Sequence, residues 1–112
     1  MQYAFFTQAV ANLVDCGLCP DSVGSGQSVN ELTVRGVAMP LQISIDKALV
    51  WDRQQTQMVI RHKVLVCLRG TQGQVYVQAG PLYVQTAQET VEAVHLLRAR
   101  LLRALPGHTK PG

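Results

Sequence analysis

The sequence predicts an α+β fold: an N-terminal helix, about five antiparallel strands and a C-terminal helix, with both helices packed on one face of the sheet. Three observations predict it. Apolar residues recur at helical spacing at the two ends of the chain, they alternate residue by residue through the middle, and Gly, Pro and polar clusters separate the alternating runs. No internal repeat is present.

Between Gln2 and Gly17, Phe6, Val10, Leu13 and Val14, with Phe5 and Ala9 alongside, form an apolar stripe opposite Gln8, Asn12 and Asp15. Gly17 and Pro20 close this helix, and "PDSVGSGQS" after it has the composition of a mobile linker. Leu32 and Val34 then alternate with Glu31, Thr33 and Arg35. After Gly36, the set Val37, Met39, Leu41, Ile43 and Ile45 alternates with Ala38, Pro40, Gln42, Ser44 and Asp46, the pattern of a strand buried on one face. Pro40 lacks an amide proton, so it belongs at a sheet edge or a bulge. "ALVW" is a separate short strand and "DRQQTQ" a polar turn.

From Met58 the alternation resumes. Met58, Ile60, His62, Val64, Val66 and Leu68 share the apolar face; Val59, Arg61, Lys63, Leu65, Cys67 and Arg69 take the other. The turn "RGTQGQ" makes a hairpin with Val75, Val77 and Ala79, opposed by Gln74, Tyr76 and Gln78, and "AGP" breaks that strand before Leu82 to Val84. The last helix opens on a capping box, Thr86 with Glu89. Val91, Val94, Leu97, Leu101 and Leu105 form its stripe, while Glu92, Arg100 and Arg103 point away. Pro106 and Gly107 end it, which gives one domain over residues 1–105 and a disordered tail over 106–112.

Composition narrows the function classes. Hydrophobic residues make up 47% of the 112-residue chain and charged residues only 15%, against about 25% in a typical soluble domain, so the second half wets its surface with glutamine instead. Gln54, Gln55, Gln57, Gln72, Gln74, Gln78, Gln85 and Gln88 give a weakly charged surface of the kind that meets another protein. The net charge of +3 is uneven, because no Lys or Arg precedes Arg35, yet no basic run forms a polybasic arm. "YAFFTQAV" lacks the positive flank of a secretory signal, and no window reaches the roughly 18 apolar residues of a membrane span. Three cysteines close no disulfide framework, which places the chain in a reducing cytoplasm with no membrane association.

"DCGLCPDS" carries the only Cys-x-x-Cys. A redox pair needs a thiolate, favoured at a helix N-terminus, whereas Cys16 and Cys19 follow a helix C-terminus with no Lys or Arg within fifteen residues on either side. A structural zinc site needs four ligands, and the other candidates are Cys67, His62, His95 and His108; Cys67 and His62 project to opposite faces of one strand. The favoured reading makes Cys16 a small apolar residue at the helix end, with no cofactor; a thiol or zinc protein built on Cys16 and Cys19 is an alternative. His62, on an apolar face, reads as a hydrogen-bonded, mostly buried residue or a subunit contact, and no Ser, Asp or Glu completes a catalytic set with it. "VGSGQS" lacks the lysine and the strand-to-helix context of a phosphate loop. The chain therefore reads as non-enzymatic.

Two surfaces remain. Arg61, Lys63 and Arg69 share a sheet face with Tyr76 and Gln78 of the neighbouring strand, a surface for a protein partner or, alternatively, for nucleic acid, although single-strand readers stack bases on two or three aromatics and Tyr76 stands alone. Leu96 and Leu102 add apolar surface outside the main stripe of the last helix and mark a second contact, the self-association face of a homodimer or, alternatively, a face for a partner.

"FFTQAVANLV", "VAMPLQISI" and "GQVYVQAGPL" leading into "AQETVEAVHLLRARLL" together give a layout that resembles the small secretion chaperones of bacterial type III systems. The chain differs from them in being basic rather than acidic and in having only "DRQQTQ" where they carry a further helix. The resemblance implies a homodimer that binds an extended segment of a secreted effector along apolar grooves. The first functional reading is thus a non-enzymatic, chaperone-like or adaptor-like protein-binding module.

Overall fold

The computed structural model describes residues 4–18, 20–25, 30–34, 41–69 and 75–104, with side chains over 4–18, 41–68 and 77–104. The fold is α+β. Helix α1 (Ala4–Asp15) precedes strands β1 (Pro20–Ser25), β2 (Asn30–Val34), β3 (Leu41–Asp52), β4 (Gln57–Arg69) and β5 (Val75–Val84), and helix α2 (Ala87–Ala104) follows them. Three long strands, β3, β4 and β5, form the body of the antiparallel sheet. The shorter β1 and β2 continue its ladder along the free edge of β3, so that sheet order follows chain order.

The core follows the alternation in the sequence. Leu41, Ile43 and Ile45 of β3 lie directly opposite Leu68, Val66 and Val64 of β4, and these in turn oppose Val77, Ala79 and Leu82 of β5, so one sheet face is continuously apolar. Against it α2 sets Val91, Val94, Leu97 and Leu101, the stripe expected from its helical spacing, and α1 adds Phe6, Ala9 and Leu13. Helix α2 lies on β4 and β5, whereas α1 packs mainly on α2. Val14, placed on the α1 stripe by sequence, is instead exposed, because Ala9 and Leu13 bring the helix against its neighbour along a narrower line.

Both helix boundaries have the chemistry their sequences imply. At the end of α1 the Gly17 amide donates to the Val14 carbonyl (2.9 Å) and the Leu18 amide to the Leu13 carbonyl (3.0 Å), with Gly17 at φ +98°: the Schellman stop. Leu18 then packs against the core. At the start of α2 the Glu89 amide donates to Thr86 Oγ1 (3.0 Å), and Glu89 Oε1 accepts from the amides of Thr86 (3.0 Å) and Gln85 (2.9 Å), which completes the capping box. These amide donors hold the Glu89 carboxyl below its ordinary pKa, Gln85 contributing most.

Three boundaries differ from the sequence reading. Pro20–Ser25, read as part of a linker, is strand β1, paired residue by residue with β2 from Val23↔Leu32 to Ser25↔Asn30; the partner's hydrogen bonds override a Gly- and Ser-rich composition. The alternating run ending at Ile45 and the separate "ALVW" are one continuous strand, β3, because β4 offers an unbroken ladder to pair with. "AGP" does not break β5. Val64 pairs with Leu82 and Val66 with Ala79, so Gly80 and Pro81 face the single residue Leu65 in a bulge. Gly80 is required there, since it has φ +106° and a Cβ would stand 2.9 Å from the Val64 carbonyl oxygen. Cys19, the segment at 35–40 with Pro40, the turn at 70–74 and the tail from Leu105 lie outside the described residues.

Candidate functional site

The pairing of β3 with β2 ends at Ser44, and that of β4 with β5 ends at His62. Beyond those points β3 and β4 run on together as a two-stranded arm: Lys47↔His62, Ala48↔Arg61, Leu49↔Ile60, Val50↔Val59, Trp51↔Met58 and Asp52↔Gln57. Among the described residues no third strand pairs with it. Both helices begin at its base. The α2 cap, Thr86, follows Val84, the partner of His62, and Phe5 near the start of α1 stacks on the His62 ring with centroids 3.4 Å apart and planes 4° from parallel.

Parity makes the arm unusual. Leu49, Trp51, Met58 and Ile60 stand on the same sheet face as Ile43, Ile45, Val64 and Val66, but where the body's residues are sealed by helices these four are 67%, 57%, 53% and 59% exposed. Together they leave on the order of 400 Å² of apolar surface in one patch, the size at which an exposed patch on a single chain commonly has a binding role.

The tip that carries this patch is well organised. Asp52 Oδ1 accepts from the amides of Gln54 (2.8 Å) and Gln55 (3.2 Å), and Thr56 takes a positive φ of 49° to close the four-residue turn. On the back of the arm Asp52 Oδ2 also meets the Arg61 guanidinium at 3.3 Å, both side chains being mostly shielded. Asp52 thus ties the turn to the opposite strand. The arm presents its apolar face in a fixed register.

At the base, His62 lies between body and arm. Burial, then the positive charges of Lys47 and Arg61, keep its pKa below the ordinary 6.5, so its neutral ring stacks on Phe5 near neutral pH. The ring is half-buried, where the sequence predicts a mostly buried one. On the opposite face Cys67 Sγ donates to Gln42 Oε1 (3.7 Å), a buried polar pair in the middle of the sheet.

The residues singled out from sequence do not converge. By parity Arg61 and Gln78 share the sheet face turned from the helices, but they are far apart on it: Arg61 belongs to the arm, where it is paired with Asp52, while Gln78 sits opposite Cys67, six positions along β4, and the pairing with β5 ends at His62. Lys63 does lie on the sheet face turned from the helices, but its neighbour is Tyr83, an aromatic that sequence reading passed over. Arg69 and Tyr76 are placed by backbone register alone, beside the shift between Leu68 and Arg69. Leu96 is 44% exposed and Leu102 half-buried on the outer side of α2. Cys16 is an exposed free thiol at the end of α1, immediately before Gly17 of the Schellman stop, and among the described residues no group of three or more His, Cys, Asp or Glu is placed to hold a metal. No helix among the described residues is long and apolar enough to cross a membrane.

No family model matches the chain, and no curated protein or solved structure matches it either.

The signal that sequence reading missed is one of length. An 18-residue helix is about 27 Å long, whereas a 13-residue strand is about 43 Å, so α2 could never have covered β4 from end to end. The polar turn "DRQQTQ", correctly read, fixes Leu49 opposite Ile60 and Trp51 opposite Met58 at the end farthest from the helix.

Proposed function

We propose that this protein is a non-enzymatic protein-binding module, chaperone-like or adaptor-like, that engages its partner through the bare apolar face of the β3–β4 arm. The observation that carries the reading is the exposure of Leu49, Trp51, Met58 and Ile60 on a face that is core elsewhere in the sheet. Four large apolar side chains held in register by a capped turn cost solubility, and a cover supplied by another protein offsets that cost. The arm replaces the wet sheet face of Arg61, Lys63, Arg69, Tyr76 and Gln78 as the principal contact, since Arg61 is engaged by Asp52 and the basic residues are dispersed. Nucleic-acid binding loses support for the same reason. Self-association through Leu96 and Leu102 stays a separate proposal, for a second face.

A photo-cross-linking residue tests this reading when placed at position 58 or, as a control, at position 78, in cells that naturally make the protein. The expected result is a discrete protein adduct from position 58 and none from 78. Adducts only from 78, or adducts to nucleic acid, would overturn it.

A further inference from the structure

Helix α2 seals the sheet with one side and turns the other to solvent. On that outer side Glu92, Leu96, Ala99, Arg100 and Arg103 fall within about 100° of one another around the axis, and all five are exposed, while Val94, Leu97 and Leu101 enter the core. Leu102 does not join them, since six residues beyond Leu96 it lies about 120° around the helix, and it is half-buried. The outer face therefore centres on Leu96.

The charges on this face are sorted along the helix. Glu92 precedes Leu96 by four residues, Arg100 follows it by four, and Arg103 stands nearly one turn further on. No Lys or Arg occurs three or four residues from Glu92, and no Asp or Glu at those distances from Arg100 or Arg103, so neither end meets an opposite charge along its own helix. The order is acid, apolar, base, over about 17 Å from Glu92 to Arg103.

Such an order is its own complement when reversed. With two copies of α2 antiparallel and Leu96 on the two-fold axis, Leu96 meets Leu96 and Glu92 of each copy meets Arg100 of the other, because both stand four residues from the axis. A parallel approach sets Arg100 and Arg103 against their own copies, which repel. A wholly acidic partner gains at Arg100 and Arg103 but is repelled at Glu92, and a wholly basic one the reverse; a second copy satisfies both ends. We propose that the protein forms a reversible homodimer through the outer face of α2, antiparallel about Leu96, with two Glu92–Arg100 pairs at its margins. This rests on the self-association reading and deepens it by giving the contact its residues and direction, without involving the arm. One helix face is a small contact, so the dimer is weak and sensitive to salt.

Analytical ultracentrifugation of the full-length protein over a concentration series, at low and at high salt, tests it. The expected result is a monomer-dimer equilibrium that salt weakens, with Trp51 emission unchanged throughout. Glu92→Arg and Arg100→Glu, each checked for an unchanged circular dichroism spectrum and thermal midpoint, should each weaken dimerisation about tenfold, since either replaces two attractive pairs by two repulsive ones. Mixed together, the two single variants should form a heterodimer, and the double variant should dimerise like the parent, because opposite charges then meet again. A monomer at every concentration overturns the proposal and leaves the face to a different partner. A dimer indifferent to both reversals overturns it in favour of another surface, which a concentration-dependent blue shift of Trp51 would place on the arm. Losses that neither mixing nor the double variant restores overturn the antiparallel register. The cross-link at position 58 decides the protein-binding reading of the arm separately.

Discussion

The two halves of the β3–β4 ladder share one pattern and meet opposite fates. In the body, Ile43, Ile45, Val64 and Val66 are sealed beneath α2 and α1; in the arm, Leu49, Trp51, Met58 and Ile60 follow the same alternation on the same face and remain in solvent. Alternation alone therefore fixes which way a side chain points, while its burial depends on whether another element is long enough to reach it. The apolar content of the body is structural. That of the arm is left exposed.

The largest expected effect lies in the body. Leu97→Ala empties a fully buried site beneath the helix and should cost about 3 kcal/mol of unfolding free energy, whereas Leu49→Ala in the arm should cost no more than about 0.5 kcal/mol; chemical denaturation of both variants checks the contrast. Comparable losses would break the distinction between the two regions. Next comes Gly80→Ala at the bulge where β5 crosses β4. Its positive φ and the close Val64 carbonyl predict a loss of about 2 kcal/mol, read as a lower denaturation midpoint.

A smaller effect is expected at the α2 cap, which anchors the helix at the base of the arm. Thr86→Ala removes the acceptor for the Glu89 amide and should cost about 1 kcal/mol. The same cap gives stability a pH dependence. Because the folded carboxyl of Glu89 titrates below its unfolded value, its contribution is complete above the ordinary carboxylate range and is lost as pH falls through the lowered folded pKa. Glu89→Gln should therefore flatten the acid limb of a stability-against-pH curve without changing its neutral-to-alkaline course. The smallest effect belongs to the double variant Leu49→Ser with Ile60→Ser, whose thermal midpoint should stay within about 3 °C of the parent while partner cross-linking is lost.

Much of this fold was legible in the sequence. The α+β class, the capping box, the helix stop at Gly17, the stripe of α2 and the parity of β4 all rest on local spacing, and local spacing survives into the fold. What escaped was set by partners across the sheet. Pro20–Ser25 becomes a strand because β2 lies beside it; Gly80 and Pro81 form a bulge because β4 continues past them. The candidate site was legible only in part. Met58 and Ile60 were placed on the correct face, but an alternating pattern does not show where cover ends, and Arg61 looked available until Asp52 was found beside it.

The central claim is that the arm's apolar face is bare in the isolated protein, and acrylamide quenching of Trp51 across a dilution series tests it most directly. Ready quenching of a solvent-like emission at every dilution is the predicted result, with protection appearing only when a partner is added. A Trp51 that stays shielded and blue-shifted at the lowest concentration would contradict the account, since the chain itself would then cover the arm.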